Sequence, residues 1–174
     1  MMVLISGGNG SGKSRVAELI ASQIERKRYY AATMIPWGEE GEARKAKHLK
    51  SRAGLGFITV ECPYDLSEVD CSRDDLVLLE DLSNLLANGI FGARPPFGAK
   101  EVLSQVRGLE SRCAVLLVVS IAGLTGEGCD EGTRRYVDDL NGLNAELARG
   151  AGTVIEMHDG AARVLKGDCP WELA

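Results

Sequence analysis

A chain of 174 residues suits one compact domain with a substantial core, and 45% apolar with 26% charged residues is the balance of a globular protein, not a disordered or fibrous one. The net charge of −5 argues against nucleic acid as the main partner, so any phosphate-binding region must be a local basic patch. Five cysteines, Cys62, Cys71, Cys113, Cys129 and Cys169, with no CxxC pair, argue against a disulfide framework and a zinc site.

No apolar run approaches the length of a bilayer span. The opening MMVLIS runs straight into glycines without the basic, apolar and small-residue order of a secretory leader, so a cytoplasmic location is expected. The first predicted element is an apolar strand over Met2–Ser6, stopped by Gly7-Gly8. A helix over Lys13–Ile24 follows, with Val16, Leu19, Ile20 and Ile24 at helical spacing. Arg28–Thr33 reads as a second strand and Glu39–Ser51 as a charged helix with few apolar positions. Further strands are predicted over Phe57–Glu61 and Leu76–Glu80, the latter apolar without alternation, as expected when both faces are covered.

Helices are predicted over Leu82–Phe91 and Lys100–Ser111, separated by the breaker Arg94-Pro95-Pro96-Phe97-Gly98. Cys113–Ser120 is the most apolar run and the candidate central strand. Gly123–Gly132 reads as an acidic, glycine-rich loop, and Thr133–Arg149 resumes helical periodicity. At the end, Thr153–His158 and Ala162–Lys166 form a hairpin across the Asp159-Gly160 turn signal. The resulting fold class is α/β and P-loop-like: a mainly parallel sheet flanked by helices, with an antiparallel C-terminal edge hairpin, in a single domain over 1–174.

Gly7-x-x-x-x-Gly12-Lys13-Ser14 satisfies the P-loop pattern in the context that the pattern requires, between a strand and a helix. Along Gly7, Gly8, Asn9, Gly10, Ser11 and Gly12, the backbone N–H groups can converge on phosphate oxygens, helped by the positive end of the helix. Lys13 would reach the outer phosphates and the Ser14 hydroxyl would join a magnesium shell. The usual companion is a carboxylate ending an apolar strand, and LVLLED supplies Glu80, with Asp81 beside it.

Arg44, His48 and Arg52 recur at i, i+4 and i+8, one stripe if the helix persists, flanked by Lys47 and Lys50. Neighbouring cations disfavour the protonated imidazole, which keeps a ring nitrogen nucleophilic, and they can neutralise phosphate oxygens. A solvated basic face carrying an incidental histidine is the alternative. Trp37 can pack or stack on a base, and His158 reads as an exposed turn residue.

These residues carry a resemblance. The chain resembles the bifunctional adenosylcobinamide kinase/adenosylcobinamide-phosphate guanylyltransferase family of cobalamin biosynthesis nearly end to end. The matching features are the Gly7–Ser14 loop, Tyr30–Thr33, Arg44 with His48, the turn carrying Thr59, Glu61 and Pro63, the pair Glu80 and Asn88, and Arg134, Tyr136, Asp138 and Asn144. The resemblance implies phosphorylation of adenosylcobinamide by GTP or ATP with Mg2+, then transfer of GMP from GTP to adenosylcobinamide phosphate through a guanylylated His48. Nucleotide contacts are expected from Arg44, Arg52, Glu61 and Glu80, and the resemblance also implies a homo-oligomer.

The match departs at Ser120-Ile121, where the family has Asn-Glu, and at Val137, Asn141 and Ala145. Glu127, Asp130 and Glu131 follow in the next loop and are either candidate replacements for the missing carboxylate or simply a solvated acidic loop. Two other readings stay open: a small P-loop kinase of another alcohol, and a nucleotide-binding regulator with reduced catalysis.

Overall fold

The structure, a computed structural model, describes residues 1–36, 38–93 and 95–174, and leaves out the side chains of residues 40, 44, 47–49 and 51. Trp37, Arg94 and the side chains of Arg44 and His48 therefore lie outside the described residues.

Seven strands form one sheet: β1 (Met2–Gly7), β2 (Arg28–Ala32), β3 (Phe57–Glu61), β4 (Leu76–Glu80), β5 (Val115–Ile121), β6 (Thr153–His158) and β7 (Ala161–Lys166). Their order is β3-β2-β4-β5-β1-β6-β7, so the apolar strand β5 does lie at the centre. All pairings are parallel except β6 with β7. The helices are α1 (Lys13–Ser22), α2 (Gly38–Ser51), α3 (Leu82–Ala87), α4 (Ala99–Arg112) and α5 (Glu131–Gly150). Among the described residues no helix is long and apolar enough to cross a membrane.

Burial explains why β1 and β4 show no alternation. Met2 and Leu4 face a cluster with Leu82, Leu85, Val106 and Leu140 from α3, α4 and α5, whereas Val3 and Ile5 face Val16, Ala17 and Ile20 of α1. Both faces of each central strand are thus apolar, as a parallel sheet sandwiched between helices requires. The carboxyl ends of β1, β2 and β4 meet at one edge of these layers, the position where open α/β sheets place ligands.

Several boundaries differ from the sequence pattern. The first helix ends at Ser22, yet Ile24 still packs on the α1 cluster from the following turn. The helix expected over Leu82–Phe91 stops at Ala87 and continues as a π turn over Asn88–Gly92, closed by Ala93 N–H donating to Asn88 O at 2.8 Å. Two contacts impose it. The Asn88 amide donates to Thr33 O and Pro63 O, at 2.8 and 2.9 Å, and Gly89 lies so close to the Phe97 ring that a Cβ would collide with it. A short 3-10 turn at Leu66–Glu68, capped by Asp65, was not anticipated.

Candidate active site

The glycine loop begins where β1 ends. A Cβ on Gly7 would lie 2.8 Å from Ser11 Oγ and against the backbone of Met157, so only glycine lets the loop pass. Gly12 adopts φ 94° at the start of α1, a left-handed conformation that favours glycine. This helix has neither a side-chain cap nor an acidic residue in its first turn, so its positive end is left to an anion. Lys13 is buried and donates from Nζ to Gly8 O at 2.7 Å. Burial pulls its pKa down, opposed by the charges of Asp81 and Glu80.

Glu80 ends β4 beside Ala32 of β2. Its Oε1 accepts from Ser14 Oγ at 2.6 Å, while Oε2 is buried without a partner among the described residues. Burial first, and the neighbouring Asp81 second, push the Glu80 carboxyl up to about 8. Asp81 itself is committed elsewhere, because it caps α3 by accepting from Asn84 N at 2.7 Å and Ser83 Oγ at 3.0 Å. An orphaned carboxylate oxygen next to a hydroxyl is a hard-oxygen donor set that fits a magnesium ion whose remaining ligands are water and phosphate. Among the described residues no group of three or more His, Cys, Asp or Glu could hold a metal, so such an ion would depend on the nucleotide.

These groups open on a cleft of about 720 Å³ lined by Asn9, Gly10, Gly12, Lys13 and Ser14 of the loop, Glu80, Asp81 and, across from them, Gly41 and Lys45 of α2, Glu61 and Arg52. Lys45 Nζ pairs with Glu61 Oε1 at 3.0 Å. Arg52 does not prolong the helical stripe expected with Arg44 and His48, because α2 ends at Ser51. It reaches the cleft by another route, with its guanidinium stacked 3.4 Å from the centre of the Tyr30 ring. The structure thus brings together Lys13, Ser14, Glu80, Glu61 and Arg52.

Tyr30 and Lys45 were missed by the sequence reasoning. Tyr30 stood out only as part of a strand and of the family resemblance, and nothing local marks its ring as a cation platform. Asn88 and Tyr136, both part of the resemblance, act in packing, since Tyr136 Oη donates to Ser83 O at 3.2 Å. Asn144 fastens the end of β5 by donating to Ile121 O at 2.8 Å. Ile121 lies on the cleft wall, and Val137 is a core residue. None of Glu127, Asp130 and Glu131 lines the cleft, and Asp130 serves as the α5 cap through Thr133. His158 is exposed, as its turn position suggested, and lies 3.4 Å from Asp159.

A glycine loop joining a parallel strand to a helix, faced by a carboxylate from another parallel strand, defines the P-loop class of nucleotide-binding α/β folds. Solved structures agree at the level of fold: the ATP synthase subunit NeqB of Nanoarcheaum equitans superposes with a TM-score of 0.53 at 12% identity, covering 90% of this chain and 46% of that one. An ATPase from the type III secretion system of pathogenic bacteria gives 0.51 at 14% identity, covering 90% and 51%.

Within that class the chain belongs to the cobinamide kinase/cobinamide phosphate guanyltransferase family, whose model matches residues 3–165. It is 31% identical to the bifunctional adenosylcobalamin biosynthesis protein CobP of Pseudomonas aeruginosa, over 97% of this chain and 99% of that protein. It is 30% identical to the protein of the same description, CobU, of Escherichia coli, over 88% and 93%. The match to CobU of Salmonella typhimurium is 32% identical over 52% of this chain and spans about half, 51%, of that protein.

Proposed function

We propose that the protein phosphorylates adenosylcobinamide with GTP or ATP and then transfers GMP from GTP to the phosphate so formed, giving adenosylcobinamide-GDP. The observation that carries this reading is the cleft in which the glycine loop, Lys13 and the Ser14–Glu80 pair face a cationic wall. In the first step the acceptor hydroxyl attacks the terminal phosphorus, the bond to the nucleoside diphosphate breaks, and the hydroxyl proton leaves to solvent. In the second, a ring nitrogen of His48 attacks the α-phosphorus and pyrophosphate leaves; an oxygen of the acceptor phosphate then displaces the histidine, breaking the P–N bond.

His48 follows Gly41 and Lys45, which line the cleft, at i+7 and i+3 along α2. Lys13 and the loop amides offset charge on the leaving phosphates, Arg44, Arg52 and Glu61 complete the nucleotide contacts, and magnesium held at Ser14 and Glu80 would neutralise phosphate oxygens. A cytoplasmic homo-oligomer belongs to the same reading.

GTP labelled at the α-phosphate tests it. Acid-labile, alkali-stable label on the protein, absent from His48→Asn, supports the covalent route. Phosphorylation of cobinamide without label reduces the protein to a kinase, and nucleotide binding with neither activity makes it a regulator. Ile121, on the cleft wall in place of a carboxylate, favours as second reading an enzyme that keeps one transfer only, so the two activities are assayed separately.

A further inference from the structure

Arg52 presents an unusual combination. The residue is only 7% exposed, yet among the described residues Nε and Nη1 have no hydrogen-bond partner and no carboxylate forms an ion pair with it. A guanidinium has five N–H donors, and leaving buried ones unmade is costly unless something compensates. The Tyr30 face compensates in part, 3.4 Å away, by a cation–π contact. The nearby carboxylates do not complete the pairing: Glu61 is held by Lys45, and Glu18 of α1 has its pKa raised by burial, which the charge of Arg52 opposes only in part.

Position narrows the role. Tyr30 lies on β2, directly beside β4 with its Glu80, whereas β5 and β4 separate β2 from the P-loop strand β1. At the usual strand separation that is about 5 Å from β4 but about 14 Å from β1. The stacked cation therefore stands beyond the Ser14–Glu80 pair, on the far side from the origin of the glycine loop. A planar fork with donors pointing to one side matches phosphate geometry better than a single point charge does.

We propose that the guanidinium of Arg52, stacked on Tyr30, seats a phosphate dianion outside the P-loop, with Tyr30 as its positioning residue. That dianion is either the terminal phosphate of the bound triphosphate or the phosphate carried by the acceptor. The inference rests on the function proposed above and adds a second phosphate seat to it. Tyr30 holds the guanidinium in a desolvated place where its donors are left for the ligand. The aromatic ring, and not the hydroxyl, performs this task.

The test measures dissociation constants of the full-length protein for GTP, GDP, adenosylcobinamide and adenosylcobinamide phosphate. If the seat holds the terminal phosphate, Arg52→Gln weakens GTP by about tenfold or more and leaves GDP within about twofold; if it holds the acceptor phosphate, the same contrast separates the two cobinamides. Tyr30→Leu weakens the same probe, Tyr30→Phe does not, and Arg52→Lys recovers only part of the loss. Unchanged affinity for every probe, or an equal loss for all four, overturns the proposal, the first result leaving Arg52 as a packing residue.

If the wild type takes up neither nucleotide nor acceptor, the proposed function fails on its own. Inorganic phosphate then decides the seat: the proposal stands if phosphate raises the melting temperature of Lys13→Ala but not of the Lys13→Ala/Arg52→Gln double variant, and falls if both respond alike.

Discussion

The two walls of the cleft are built on different principles. The loop wall is local: Gly7 to Ser14 are consecutive, their conformation follows from glycine at Gly7 and Gly12, and a hydrogen bond of 2.6 Å ties Ser14 to Glu80. The opposite wall is assembled from separate pieces, namely Lys45 in α2, Arg52 after it, Glu61 at the end of β3 and Tyr30 in β2. A wall made by chain conformation is robust and nonspecific, suited to any triphosphate. One made by side-chain contacts across elements is where acceptor choice can be set.

The largest effect that would break this contrast is at the loop. Lys13→Ala should lower both transfers by about 10²- to 10³-fold, because it removes charge stabilisation of leaving phosphates. Steady-state rates with saturating acceptor check it, and a loss below about tenfold would deprive the loop wall of its assigned role. Glu80→Gln comes next, with the magnesium concentration for half-maximal activity rising about 10- to 100-fold. An unchanged magnesium requirement would remove Glu80 from the proposed magnesium site.

The same variant has a pH signature. Glu80 is raised from an ordinary value of 4.5 to about 8, so its contribution to the stability of the unliganded protein is complete below about 4.5 and is lost as pH rises through about 8. Urea denaturation across that window should show the wild type losing stability with rising pH and Glu80→Gln losing less. Equal slopes would contradict the burial of an unpartnered Oε2.

The remaining tests concern the packing of the π turn and the other wall. Asn88→Ala leaves Thr33 O and Pro63 O without their donor and should cost about 1–3 kcal/mol of stability, read by denaturant midpoint. Lys45→Ala is the smallest. The Lys45–Glu61 pair is partly exposed, with side chains 32% and 47% accessible, so its loss should cost less than about 1 kcal/mol and change mainly the salt dependence of nucleotide binding. A much larger cost would show that the second wall is as rigid as the first.

Sequence and structure agree best where the physics is local or periodic. The continuous apolar runs of β1, β4 and β5 are readable because burial on both faces removes alternation, and the Asp159-Gly160 hairpin is readable because its turn demands those residues: Asp159 has φ 46° and Gly160 φ 81°. The π turn after Ala87 escaped because Asn88 and Gly89 answer to Thr33, Pro63 and Phe97, partners distant in the chain. Arg52 shows the same limit from the other side. Helical spacing suggested its face, but the helix stops at Ser51 and an aromatic ring on another strand holds the side chain.

By itself the amino-acid sequence determined the phosphate-binding loop, the strand-end carboxylate, the α/β class and the resemblance to a family, since each depends on neighbouring residues or on a short period. Only the tertiary structure decided that Asp81 and Asp130 are helix caps, that Ile121 faces the cleft, and that Tyr30 carries Arg52 into it. The physical reason is that sheet order and register bring together side chains far apart in the sequence, and the energy of an unpaired buried cation depends on what surrounds it rather than on what precedes it in the chain.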